Sequence, residues 1–253
     1  MSQYAVSDIH GQYRLYREML DDIRFSDDDT LFIIGDMVDR GPQSLEIIKD
    51  VMVRPNVVPL IGNHEMMIRD HYHDRGSGRD CWLLSCNGGL VTKAAFEELS
   101  GNERQAILDW INTLYLQKEI VIGDMTFLMS HSACLTDRGD VRWQAVDDRL
   151  VFNTVWESPW RTWEYFAADR FAVDGRWHVI GHVPVQRLPG WIEDVAERCL
   201  VPYIDDENHV VNIDLGCASL ESPSPYPYAS LCCMDLTAFA EGRREDAFRF
   251  YRD

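Results

Sequence analysis

Apolar positions Tyr4 to Val6 form a short run, and Tyr16, Met19, Leu20 and Ile23 then recur at i, i+3, i+4 and i+7. The pattern predicts a strand followed by a helix with one buried face. "TLFIIGD" (Thr30 to Asp36) reads as a second buried strand. Leu45, Ile48 and Met52 continue a helix opening at Gly41–Pro42, since proline has no N–H to lose in the first turn. "NVVPLIGN" is the third strand. This βαβαβ opening predicts parallel strands, with polar loops at Asp8–Gly11, Asp36–Arg40 and Asn63–Glu65 along one sheet edge, where α/β folds bind ligands.

Residues 66–116 read as helical, broken by the polar "HDRGSGRD", and form a candidate lid. Beyond them "EIVIGDMTFLMSH", "WHVIGH", "HVVNIDLG", "ASLCCMDL" and "AFRFY" are short strand patterns, with a hairpin turn at Gly123–Asp124. A β-rich second half packed on the first predicts an α/β two-sheet sandwich flanked by helices. One domain, residues 1–253, is expected.

Charge narrows the functions. With 42 acidic against 24 basic residues the formal charge is −18, and no basic stripe is present, which argues against a nucleic-acid partner. Bound divalent cations would offset part of that charge. Seven cysteines without paired spacing argue for reduced, mostly buried thiols rather than a disulfide framework. Without a basic-then-apolar leader or an apolar run of spanning length, a soluble cytoplasmic protein with no membrane partner is expected.

Asp8 and His10, Asp36 and Asp39, Asn63 and His64, His131 and His182 all follow predicted strands, so one edge can gather them around one point. Oxygen and imidazole donors without thiolates suit Mn²⁺, Fe²⁺ or Zn²⁺. Two such ions need a bridging ligand, and Asp36 is the candidate.

In that order, "DIHG", "GDMVDRG", "GNHE", "SH" and "GH" resemble the signature of the phosphoprotein phosphatase branch of the calcineurin-like metallophosphoesterases, from Asp8 to about Ala218. The resemblance implies one metal on Asp8, His10 and Asp36 and a second on Asp36, Asn63, His131 and His182. Mn²⁺ is the first expectation, with Fe or Zn as alternatives. It further implies a metal-bridging hydroxide as nucleophile, His64 as proton donor to the leaving group, Asp39 as its orienting carboxylate and Arg40 as a phosphate clamp. Asn63 would also contact substrate.

"VWESPWRTW" resembles the segment that supplies a second phosphate-binding arginine in small bacterial and phage protein phosphatases, which makes Arg161 a candidate; "WLLSCNGG" resembles their lid. The chain departs from the protein phosphatase pattern at Ile61, where an arginine precedes "GNHE". Diadenosine tetraphosphate hydrolases of the same branch also carry an apolar residue there, but usually lack the aspartate kept here as Asp39. The leading expectation is a metal-dependent phosphomonoesterase that acts as a protein serine/threonine phosphatase, with tyrosine also in reach; the partner is a phosphorylated protein or peptide, or a small phosphorylated metabolite. The alternative is a symmetrical dinucleoside tetraphosphate hydrolase.

His71, His73, His178 and His209, and the tryptophans Trp156, Trp160 and Trp163, are expected to serve packing or surface roles. Cys232 and Cys233, adjacent on a strand, are expected to point to opposite faces.

Overall fold

The computed structural model describes residues 1–74, 76, 78–157, 175–188, 200–223 and 225–252. Strands β1 (Gln3–Val6), β2 (Thr30–Ile34) and β3 (Val57–Leu60) pair in parallel in that order. Helices α1 (Tyr13–Asp22) and α2 (Ser44–Met52) make the crossovers. The face predicted for α1 is the buried one, with Tyr16, Met19 and Leu20 against the sheet.

Helix α2 starts at Ser44, later than Gly41–Pro42 suggested. The N–H groups of Gly41 and Gln43 donate to the carbonyls of His10 and Gly11, both at 3.0 Å, so this stretch is drawn to the neighbouring loop before the helix can form.

The 66–116 region carries α3 (Asn63–Tyr72), α4 (Gly89–Glu97) and α5 (Gly101–Ile111). Its last residues already belong to β4 (Tyr115–Ile122), which turns at Gly123–Asp124 into β5 (Met125–Ser130) in the expected antiparallel hairpin. Next come β6 (Val141–Arg142) beside β4, helix α6 (Asp148–Val155), and β7 (Trp177–Ile180) parallel to β5. Strand β8 (Tyr203–Asp205) pairs with β9 (Val210–Asn212), and β9 lies parallel to β7. The chain then returns, as β10 (Leu231–Asp235) runs antiparallel to β1, helix α7 (Leu236–Ala240) follows, and β11 (Phe248–Tyr251) closes that edge.

The two expected sheets are joined edge to edge. One path runs β11-β10-β1-β2-β3-β4-β5-β7-β9-β8, and its two halves meet through the single register pair Leu60–Tyr115. The sheet curls, and alternation along the strands builds two cores. Val6, Leu31 and Ile33 face the helices with Leu15, Met19, Ile47 and Ile48. Ala5, Phe32, Ile34 and Leu60 face inward, in one cluster with Phe127, Met129, Trp177, Val179 and Val211 of the other half. Phe239 of α7 fills the space between the halves, its ring 6.1 Å from Phe127 and 4.9 Å from Trp177. Burying such a side chain contributes roughly 1.5–3 kcal/mol.

Six cysteines lie among the described residues; Cys217, Cys232 and Cys233 are buried, whereas Cys86 is exposed. Cys232 and Cys233 belong to different cores, as alternation required. Among the described residues no helix is long and apolar enough to cross a membrane.

Candidate metal centre

Asp8 follows β1, Asp36 follows β2 and Asn63 follows β3, three strands parallel to one another, while His131 follows β5 and His182 follows β7, a parallel pair in the other half of the sheet, and the five carboxyl ends meet at one place. Tight turns carry these residues inward. Asp8, His10, Asp36, Asp39, Arg40 and His182 all have positive φ, six of the ten such non-glycine residues described. Each costs on the order of 1 kcal/mol or more, and such strain gathers where function requires it. Gly62 permits a close approach, because a Cβ there would lie 2.2 Å from Asp36 Oδ1.

Asp36 Oδ2 is the centre of convergence. It lies 3.3 Å from His131 Nε2, 3.5 Å from His10 Nε2 and 3.8 Å from His64 Nε2. Two groups of ligand atoms, His10/Asp36/His64 and Asp36/His131/His182, each fall within 4.8 Å and share Asp36. Asn63 Oδ1 is 3.0 Å from His131 Nε2, and His182 Nδ1 is 3.2 Å from the same nitrogen. Asp8 stands slightly further out, with Oδ1 3.9 Å from His10 Nε2 while Oδ2 accepts the His182 N–H at 3.0 Å. His64 therefore stands closer to Asp36 than Asp8 does to His10.

Backbone carbonyls orient the imidazoles. His10 and His131 donate through Nδ1 to the carbonyls of Val38 (2.9 Å) and Ile34 (2.8 Å), and His182 donates through Nε2 to that of Trp156 (3.1 Å). A carbonyl can only accept, so each ring turns its other nitrogen towards Asp36, the arrangement that orients metal-binding histidines. The donor set fits a divalent cation.

Electrostatics agree. Burial opposes a charge on His131, but the Asp36 carboxylate outweighs it and raises the ring to about 10. Burial and then the neighbouring His131 lower His182 to about 3. Burial, then Arg40, holds His10 well below its ordinary value. Without a metal, one proton on His131 supplies the positive charge that this buried acidic cluster demands.

A second constellation adjoins the first. His64 Nδ1 is 2.7 Å from Asp39 Oδ2, both side chains are fully buried, and Arg40 Nη2 lies 3.4 Å from His64 Nε2. Arg40 Nε is buried without a hydrogen-bond partner among the described residues.

Arg161, Trp160 and Trp163 lie outside the described residues. Ile61 does not face the site; it is fully buried in the helix-side core. His73 is exposed, His71 packs 5.0 Å from the Trp82 ring, His209 stacks on Trp177 at 4.9 Å, and Trp156 stacks on Phe152 at 5.4 Å.

Two supporting residues escaped the reading of the sequence. Glu65 accepts the N–H groups of Asp36 (2.9 Å), Met37 (2.8 Å) and Gly62 (2.9 Å), tying two site loops to the start of α3. Its place at the third position of a helix was the available signal. Trp82 donates its indole N–H to Asp39, a contact with no local sequence signature.

A curled α/β sheet with a His/Asp cation site at its carboxyl edge defines a metallophosphoesterase architecture. Residues 1–209 match the profile of the calcineurin-like phosphoesterases, and the chain belongs to that family. Over 137 residues it is 31% identical to the symmetrical bis(5'-nucleosyl)-tetraphosphatase of Nitrosospira multiformis, covering 53% of this chain and 44% of that one. Over 107 residues it is 35% identical to serine/threonine-protein phosphatase 2 of Escherichia coli, covering 42% and 45%. The chain thus spans less than half the length of either relative, and symmetrical tetraphosphatases predominate among such relatives. A serine/threonine phosphatase of Saccharomyces cerevisiae shares the fold, with a TM-score of 0.62 over 100% of this chain and 80% of that one at 14% identity.

Proposed function

We propose that the chain hydrolyses phosphoric anhydrides of the symmetrical dinucleoside tetraphosphate class, using two divalent cations, Mn²⁺ first among them. The observation that carries the dinuclear reading is the position of Asp36 Oδ2, shared by both candidate ligand groups. Asp8, His10 and Asp36 would hold one ion, and Asp36, Asn63, His131 and His182 the other. Such a pair supplies Lewis acidity to the phosphoryl group and to the attacking water.

The chain's own residues do the rest. Arg40, with unpartnered buried Nε, receives non-bridging phosphate oxygens. Asp36 and His131 hold the centre, and Asp39 keeps His64 oriented to pass a proton to the departing oxygen. Two features favour the tetraphosphate over the phosphoprotein substrate that the lid and the Asp39–His64 pair first suggested. Tetraphosphatases predominate among the relatives, and Ile61 lies in the core, so position 61 offers no second phosphate clamp.

One observation supports the phosphomonoester as a second reading. The intact Asp39–His64 pair serves a poor leaving group, such as a serine alkoxide, more than a nucleoside diphosphate, which departs readily as an anion. Turnover of diadenosine tetraphosphate and of a phosphoserine peptide, compared at equal concentration with Mn²⁺, tests both. Preference for the tetraphosphate is expected; preference for the peptide would replace the first reading by the second. No hydrolysis of either, nor of an aryl phosphate, would sink the enzymatic assignment.

A further inference from the structure

We propose that Trp82 is a positioning residue for proton delivery, its indole N–H holding the Asp39 carboxylate in the orientation that aligns His64. The proposal rests on His64 acting as proton donor in the reading above. Trp82 Nε1 lies 2.9 Å from Asp39 Oδ2 and 3.1 Å from Oδ1, so one donor spans both oxygens. The same Oδ2 meets His64 Nδ1 at 2.7 Å. Trp82, Asp39 and His64 are each 0% exposed. A buried carboxylate needs donors for its lone pairs, and the indole supplies the one that His64 leaves unmet.

The surroundings are shaped for this contact. Asp39 cannot shift along its backbone, because its N–H is held by Ser44 Oγ at 2.9 Å and Thr92 Oγ1 at 3.1 Å. The indole is wedged between rings, 5.0 Å from His71 and 5.9 Å from Tyr72. Beneath it lies Gly89, where a Cβ would come within 2.5 Å of both Nε1 and Cδ1. A buried indole could have been apolar filling with its N–H on any nearby carbonyl. Here it is aimed at the acid that orients the proton donor.

Trp82 and Thr92 both belong to the helical segment outside the sheet, and Gly88 of that segment accepts the Arg40 N–H at 3.4 Å. The segment thus bears on the proton donor through Asp39 and on the phosphate clamp directly. In the proposed step the oxygen of the attacking water forms the new P–O bond as the bond to the leaving oxygen breaks; the leaving oxygen takes the His64 Nε2 proton, the water's proton is released to solvent, Asp39 remains a carboxylate, and solvent reprotonates His64.

The test uses leaving groups, because general packing damage slows good and poor ones alike. Wild type, Trp82→Phe, Asp39→Ala, Trp82→Phe/Asp39→Ala and His64→Asn, all Mn²⁺-loaded and checked for metal content, are assayed with phenyl phosphate and 2,4-dinitrophenyl phosphate. Trp82→Phe should lower kcat for phenyl phosphate by about 10-fold, a fraction of the 10²–10⁴ of full acid catalysis, and for the dinitrophenyl ester by less than about 3-fold, with KM and metal content unchanged. In the Asp39→Ala background it should cost nothing further, since it acts only through Asp39. Equal slowing of both esters, or a full added loss on Asp39→Ala, overturns the proposal while a leaving-group-dependent His64→Asn leaves the acid assignment standing. A His64→Asn variant that slows both esters equally, or wild type that hydrolyses neither ester nor diadenosine tetraphosphate nor a phosphoserine peptide, overturns both. Should Trp82→Phe fail to fold, Gly89→Ala displaces the same indole and must show the same selective loss.

Discussion

Glu65 permits a quantitative expectation. Its Oε2 accepts the N–H groups of Asp36 and Gly62 and its Oε1 that of Met37, so Glu65→Gln can keep two of these bonds with its single amide oxygen and must turn an NH₂ towards the third donor. Losing one hydrogen bond to a charged acceptor costs about 1.5–3 kcal/mol, and the stranded buried N–H adds to it. Some of this is returned, because burial and the nearby Asp36 charge already push the Glu65 carboxyl up to about 7. A net loss of roughly 2 kcal/mol is expected, which for a chain of this size lowers Tm by about 4–8 °C. Because Asp36 and Met37 sit in the loop that Glu65 holds, affinity for Mn²⁺ should fall by about 10–100-fold, the usual cost of losing a group that orients a ligand. Urea unfolding of metal-free protein and Mn²⁺ titration against a competing chelator measure the two effects. Stability and affinity both unchanged would mean that the loops after β2 and β3 hold their shape without this carboxylate.

Asp36→Asn should remove more than one equivalent of metal and abolish turnover, as measured by metal analysis of the purified protein; retention of both ions would take Asp36 out of the bridge. Ile61→Arg should lower stability by roughly 3–5 kcal/mol, because it buries an unpaired charge in the helix-side core, and unchanged urea unfolding would show that the side chain escapes to the site. His131 supplies a pH dependence. Its folded value of about 10 exceeds the ordinary 6.5, so the proton's contribution to metal-free stability is complete below about 6.5 and is lost as pH rises through about 10. Metal must displace that proton, so binding at pH 8 should release about one proton from this ring, read by calorimetry in buffers of different ionisation enthalpy.

The site was legible because its chemistry lies where strands end. Asp8, Asp36, Asn63, His131 and His182 each follow an apolar run that announces a strand; parallel pairing brings the first three to one edge, and the curl of the sheet brings the ends of β5 and β7 to meet them. The residues that hold the ligands were harder to see. Glu65 looks like any helix-opening glutamate until the two loops are folded against it. Trp82 is seen in the sequence only as part of the lid-like "WLLSCNGG", because its partner Asp39 lies 43 residues away. The start of α2 was misplaced because Gly41 and Gln43 give their N–H groups to a loop some thirty residues earlier, a tertiary demand that overrides the local preference of proline. Nor does any periodicity reveal that the two sheets share an edge, since a single register pair leaves no pattern behind.

That slender join gives the cation site a mechanical meaning. Asp8, Asp36 and Asn63 come from one half of the curl, and His131 and His182 from the other, whereas strand pairing between β3 and β4 rests on Leu60 and Tyr115 together with the Ile61 N–H on the Tyr115 carbonyl. An ion held by Asp36 together with His131 and His182 would be a rivet through both plates. Its binding free energy would then also be adhesion energy between the halves, and the spacing of the centre would be set by how well two separate pieces of architecture are clamped together.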